Sequence, residues 1–195
     1  MPPIVSIVGK SGVGKTQFLE HLITEFKKRG YRIAVVKHTA GPIDMDKPGK
    51  DTWRFAQAGS DAVAISSPAK FAFIKNVDHD LGIEEALPLV GSDFDLILAE
   101  GFRKGKVPKI EVYRRELGED LLCSPRELSA IITERQLDVD LPQFPPYDTE
   151  AIASFIEKNF ILAGDSNTSV TLSQSNTTAS EAKQPRGERA IERFR

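Results

Sequence analysis

GKSGVGKT, Gly9 to Thr16, meets the pattern G-x-x-x-x-G-K-[ST] at every fixed position. Its flanks agree. PIVSIVG, 3–9, is a short apolar, β-branched run suited to a buried strand. After it, Phe18, Leu19, Leu22, Ile23 and Phe26 recur at helical spacing. Lys27, Lys28 and Arg29 suit the negative end of that helix, and Gly30 suits its stop. Strand, glycine-rich turn and helix in this order make a phosphate-binding loop. Gly9, Gly12 and Gly14 let main-chain N–H groups close round phosphate oxygens. The helix N-terminus adds its positive end. Lys15 is expected to reach the β and γ phosphates, and Thr16 to place a hydroxyl on Mg²⁺.

Outward from the loop, strands and helices alternate. YRIAVVKH (31–38) reads as a second strand, KDTWRFAQAGS (50–60) as a short helix ended at Gly59, and GIEEALPLV (82–90) as a helical turn or two. DAVAISS (61–67) and KFAFIKN (70–76) read as a hairpin through Ser67-Pro68-Ala69. FDLILAEGF (94–102), PKIEVYR (108–114) and ELSAIIT (127–133) are further strands, and DTEAIASFIEKNF (148–160) is a closing helix. The expected fold class is α/β: a P-loop NTPase with a mostly parallel sheet, flanking helices and a β-hairpin extension. One nucleotide-binding domain is expected over 1–162. Residues 163–195 are rich in Ser, Thr and Asn and almost without large apolar side chains, which predicts a disordered polar tail.

The 195 residues, 40% of them hydrophobic, suffice for one compact core. With 26 basic and 28 acidic side chains the formal charge is -2, which argues against a nucleic-acid-coating role. Cys123 is the one cysteine, so no internal disulfide can form. MPPIVSIVGK lacks the pattern of a signal peptide, and no apolar run approaches the ~20 residues of a membrane span. A soluble, cytoplasmic protein without membrane partners is expected.

Nucleotide chemistry needs an acid near the metal. DLILAE offers Asp95 and Glu100 at opposite ends of one strand, about 16 Å apart at ~3.3 Å per residue. Ligands of open α/β sheets sit beyond the carboxyl ends of the strands, which selects Glu100 and leaves Asp95 to cap the far end. The same rule brings Lys37 and His38 near the phosphates. The following loop, TAGPIDMDKPGKD, carries Asp44, Asp46 and Asp51, acids able to position Mg²⁺ or water. Its alternative reading is a solvated turn. His21 and His79 read as structural.

GKSGVGKT, VVKHT, DMDKPGKDTWRFAQAGSDAV, DLILAEGFR and PKIEVYR, in this order from Ile4 to Phe160, resemble the molybdopterin-guanine dinucleotide biosynthesis adaptor protein B family, MobB. The resemblance implies a P-loop protein that binds GTP with Mg²⁺, hydrolyses it slowly and forms homodimers. It also implies a partner, the MobA guanylyltransferase, and molybdopterin or its guanine dinucleotide as cargo. The family pattern carries over at Gly9, Gly12, Gly14, Lys15, Thr16, Lys37, His38, Asp46, Lys47, Pro48, Gly49, Asp51, Arg54, Glu100 and Gly101. It departs after His38, where family members often place two more histidines and this chain has Ala40 and Gly41. The expected nucleotide-binding set is Gly9, Lys10, Ser11, Gly12, Val13, Gly14, Lys15, Thr16, Gln17, Lys37 and His38. Lys15, Glu100 and Asp46 are the expected catalytic groups, and Thr16, Glu100 and Asp46 the expected metal ligands. Lys37, His38, Arg103, Lys104 and Lys106 form a candidate surface for the anionic molybdopterin, with solvated charge as the plainer reading of Lys104 and Lys106.

Three points stay open at this level. Lys10 resembles a lysine that crosses a dimer to the partner's nucleotide in the MinD-type ATPases, although a solvent-exposed loop lysine is the plainer reading. The guanine-reading N/T-K-x-D motif is absent, and Ile132 to Arg135, ITER, lies where it would fall but lacks the Asp. GTP therefore rests on the resemblance. A small-molecule kinase, with Arg103, Arg114 or Arg115 over the transferred phosphate, and a binding module without turnover are the alternatives.

Overall fold

The computed structural model describes residues 1–43 and 45–163. Asp44 and nearly all of the expected tail lie outside the described residues. Six strands form one sheet in the order β2-β5-β1-β6-β7-β8, and every neighbouring pair is parallel. They are β1 (Ile4–Val8), β2 (Ile33–Lys37), β5 (Leu96–Glu100), β6 (Lys109–Val112), β7 (Leu128–Ile132) and β8 (Gln143–Phe144). β3 (Ala62–Ser66) and β4 (Phe71–Lys75) make a separate antiparallel hairpin. The helices are α1 (Lys15–Lys28), α2 (Asp51–Gln57), α3 (Ile83–Val90) and α4 (Thr149–Ile156).

Period-two alternation assigns each strand residue a face. Val5, Ile7, Leu96, Leu98, Ile110, Val112, Ala130 and Ile132 pack with Phe18, Leu19, Leu22 and Phe26 of α1 and Ile152, Ala153 and Ile156 of α4. On the opposite face Ala34, Ile97 and Ala99 meet Ile83 and Leu87 of α3. A third cluster joins Val8, Tyr113, Leu128 and Ile131 to the buried Cys123. Coverage on both faces is what a parallel sheet requires, and it explains the near-continuous apolar runs.

α1 ends as its sequence suggests. Gly30 turns at φ +87 and the Tyr31 N–H donates to the Phe26 carbonyl, closing the last turn. Asp95 caps the start of β5's neighbourhood as expected. It accepts from the Arg32 N–H at 2.7 Å, and that bond and the Arg32 guanidinium hold its carboxyl below the usual range. The closing helix differs from its expected single span. α4 stops at Ile156 and continues as a π-helical turn over Glu157–Ile161. The wider turn places Glu157 where it accepts from both Arg29 at 2.8 Å and the Tyr31 hydroxyl. β8 escapes the sequence pattern because two residues between Pro142 and Pro145 show no periodicity.

Arg29 joins α1 to α4. It donates to Glu25, Ser154, Glu157 and the Glu150 carbonyl. Charged hydrogen bonds of this kind contribute about 1.5–3 kcal/mol where they are shielded from water. Arg29→Ala should lower unfolding free energy by about 2 kcal/mol in a denaturant titration, whereas Arg32→Ala, removing a half-exposed surface pair, should cost less than about 1 kcal/mol.

Candidate functional site: the loop at the carboxyl end of the sheet

β1 ends at Val8 and the chain turns at once. Gly9 has φ +150, and a Cβ there would lie 2.5 Å from the Val112 carbonyl oxygen of β6. Glycine is required by both conformation and space. Gly12 and Gly14 also have positive φ, at +77 and +95. Val13 is buried beneath the loop and anchors it. Gly14 caps α1 with no side-chain hydrogen bond, which leaves the first-turn N–H groups available to an anion.

The Lys15 ammonium folds back over the loop and donates to the carbonyls of Gly9 and Lys10, each at 3.0 Å. It therefore stands inside the curve that its own main chain draws. Thr16 and Gln17 follow, both exposed, on the first turn of α1.

Glu100 ends β5 beside Ile7 of β1 and Lys37 of β2. Its position continues the Leu96, Leu98 alternation, so its carboxylate lies on the α1 face with the loop. It is largely buried and pairs with the Lys37 ammonium at 3.4 Å. Lys37 thus steadies Glu100. Immediately after, Gly101 has φ +88, and a Cβ there would come within 3.0 Å of the His38 carbonyl oxygen.

His38 points to the other face. Its ring packs on Phe102 with centroids 5.3 Å apart, and its Nε2 bonds Asp80 at 2.7 Å. His38, Asp80, Phe102, Arg103 and Lys104 line a cleft of ≈ 440 Å³. The structure thus gathers His38, Arg103 and Lys104 of the expected cargo surface. Lys37 belongs to the Glu100 pair instead, and Lys106 sits by α3, its N–H donating to Glu84 at 3.1 Å.

Asp46 is held elsewhere. It accepts from the Lys47 N–H at 2.8 Å and the Thr52 hydroxyl at 3.0 Å, securing the entry to α2. Among the described residues these are its hydrogen-bond partners, and no trio of His, Cys, Asp or Glu side chains gathers to hold a metal ion. The first turn of α1 offers a divalent cation the Thr16 hydroxyl, and the end of β5 offers the Glu100 carboxylate. That suits Mg²⁺, which binds through one or two protein groups and completes its shell with phosphate and water. Lys10 is not a solvated loop lysine. Its side chain lies half-buried over Gly118 of its own chain, where a Cβ would come within 2.1 Å of the ammonium.

Two contributions were invisible in the sequence. Glu111, inside PKIEV, is buried and accepts from the N–H groups of Leu122 and Cys123 at 2.6 and 3.0 Å, fixing the 118–123 loop beside β6. Ser6 donates to the Phe102 carbonyl at 3.0 Å and ties β1 to the segment after Gly101. Ser6 stands as a polar residue within the β1 run and Glu111 follows the ordinary polar–apolar alternation of KIEV, so neither position announces its role.

The chain matches the family model of molybdopterin guanine dinucleotide synthesis protein B, MobB, over residues 4–134. The molybdopterin-guanine dinucleotide biosynthesis adapter protein of Haemophilus influenzae is 33% identical over 156 residues, covering 80% of this chain and 88% of the relative. Its Escherichia coli counterpart is 31% identical over 161 residues, covering 80% and 92%. A crystal structure of molybdopterin-guanine biosynthesis protein B superposes with TM-score 0.61 at 30% identity, over 80% of this chain and 97% of that one. A crystal structure of Bacillus subtilis MobB gives 0.61 at 25%, over 78% and 97%.

The geometry of the loop sets a test of its own. Gly9→Ala should cost about 3 kcal/mol of stability or more, from the contact with Val112 and the unfavourable φ, while Gly12→Ala, whose Cβ meets nothing within 4 Å, should cost about 1 kcal/mol. Thermal or chemical unfolding of the two variants checks the difference.

Proposed function

This chain belongs to the molybdopterin guanine dinucleotide synthesis protein B family, and from that membership we propose that it is a GTP-binding adaptor with slow GTPase activity in molybdopterin guanine dinucleotide biosynthesis. It works in the cytoplasm with a MobA-like guanylyltransferase and receives molybdopterin or its guanine dinucleotide. The observation that carries this reading is the strand–loop–helix unit in which Lys15 stands over the curve of Gly9 to Gly14. The loop N–H groups and Lys15 hold the β and γ phosphates, and Thr16 with Glu100 would hold the cation. Bound Mg²⁺ supplies neutralisation of charge on the phosphate oxygens.

Glu100 orients the attacking water by accepting its hydrogen bond, and Lys37 keeps that carboxylate in place. The carboxylate is already paired with Lys37, so its part is to orient the water rather than to take its proton. Hydrolysis should therefore run well below the ~10 s⁻¹ of a median enzyme. The cleft of His38, Arg103 and Lys104 is the proposed seat for an anionic pterin, and it opens on the opposite face of the sheet.

The proposal includes a homodimer built on the β3–β4 hairpin. Phe71 and Phe73 alternate on one of its faces and are 70% and 50% exposed. A lone two-stranded hairpin is marginal in water, and an uncovered aromatic face of this kind marks an interface. Phe71→Glu combined with Phe73→Glu should convert a dimer to a monomer in sedimentation equilibrium while leaving helical content unchanged. A monomer in the wild type over the micromolar range would remove the dimer from this reading.

Lys15→Ala should weaken GTP binding roughly ten- to hundredfold in calorimetry, the range for a charged hydrogen-bonding partner of phosphate. Phosphate release from GTP without an acceptor, slow and lost in Lys15→Ala, supports the GTPase. Transfer to an added metabolite would turn the assignment to a kinase, and binding without any release would leave a binding module.

A further inference from the structure

On the far side of the loop from Glu100, β6 and β7 deliver a second group of side chains. Gly14, Gln17 and His21 of the loop and α1, Arg114 after β6, Glu134 after β7 and Tyr147 before α4 line one cavity of ≈ 240 Å³. Arg114 leans over the loop, its guanidinium 3.5 Å from the position a Cβ would take on Gly14. The turn that carries Glu134 is fixed. The Thr133 hydroxyl donates to the Arg135 carbonyl at 2.9 Å and accepts from the Arg135 N–H at 3.3 Å, while the Thr133 N–H donates to the Phe144 carbonyl at 2.9 Å. Tyr147 is set by a second turn, in which the Asp148 N–H donates to the Pro145 carbonyl. A neighbouring hollow of ≈ 120 Å³ shares Arg114 and Glu134, so these two stand on the wall between them. Among the described residues Glu134 takes part in no ion pair.

We infer that this cavity is the purine subsite of the nucleotide and that Glu134 selects guanine over adenine. The inference rests on the triphosphate lying in the Gly9–Thr16 loop. A nucleotide held there runs its sugar and base past the C-terminal end of the loop, toward Gly14 and Gln17. Guanine presents N1–H and the 2-amino group side by side, two donors that one carboxylate accepts together. Adenine presents a lone pair at N1, which a carboxylate repels. A site built to accept those donors rejects the base that lacks them, because the carboxylate then loses water without gaining a partner. The Arg114 guanidinium and the Tyr147 ring supply flat faces on which a purine can stack. The stretch Ile132 to Arg135 lacks an aspartate, and Glu134 provides the same carboxylate one methylene further out.

The test is competitive binding of GTP, ATP and xanthosine triphosphate to the full chain with Mg²⁺, in the wild type, Lys15→Ala and Glu134→Gln. Xanthine offers N1–H and a carbonyl at position 2, which suit the acceptor and donor of a glutamine amide. The wild type should prefer GTP, and Glu134→Gln should lose roughly ten- to hundredfold in GTP affinity while gaining for xanthosine triphosphate. Its melting temperature without nucleotide should not move. An unchanged order of the three nucleotides in Glu134→Gln, or a wild type that does not separate GTP from ATP, overturns the role of Glu134 while Lys15→Ala still reports on the loop. A wild type that binds none of the three overturns the phosphate-loop reading and the base subsite together.

Discussion

At Gly9 the main chain of β1 comes so close to the Val112 carbonyl of β6 that no side chain fits. That approach lets β1 stay in the sheet to its last residue and still bend into a loop above it. Val13 locks the loop from below and Lys15 closes it from above. The rest of the site follows from it. With every strand of the six-stranded sheet parallel, the carboxyl ends of β2, β5, β6 and β7 fan out around one loop. Lys37, Glu100, Arg114 and Glu134 stand along that edge because each ends or just follows its strand.

The pleat divides this edge chemically. Lys37 and Glu100 extend the face that packs on α1, whereas His38 extends the face that packs on α3 and rests on Phe102. One residue's step along β2 therefore separates the Lys37–Glu100 pair from the cleft of Arg103 and Lys104. Gly101 sits where the two faces part: its N–H donates to the Ile7 carbonyl, and a Cβ on it would come within 3.0 Å of the His38 carbonyl oxygen.

Much of this was legible in the residues. The loop pattern, the apolar strand before it and the helical spacing after it gave β1, α1 and their junction. Two runs split by Ser67-Pro68-Ala69 gave the hairpin, and the carboxyl-end rule separated Glu100 from Asp95. What stayed hidden depends on tertiary contact. Asp46 has the residue type and the neighbours of a metal ligand, and its Oδ1 is held by the Lys47 N–H and the Thr52 hydroxyl at the entry to α2, partners that spacing does not announce. Lys10 lies along Gly118 of the same chain, a neighbour 108 positions away that its spacing in the loop does not announce. Glu111 sits in an apolar run and its partners, the Leu122 and Cys123 amides, are unpredictable from spacing. β8 has two residues, too few for any period.

The strand order also governs how the molecule is made. β1 lies in the middle of the sheet, but its neighbours are β5 and β6: Ile4 pairs with Ile97, and Ser6 with Lys109. Ribosomal synthesis releases β1 long before either partner exists, so the most apolar segment of the amino-terminal half waits with both edges bare. Pairings this remote in sequence pay their loop-closure entropy late and slow the search for the native state. The nascent chain is therefore at its most vulnerable to aggregation and chaperone capture until the residues of β6 clear the exit tunnel.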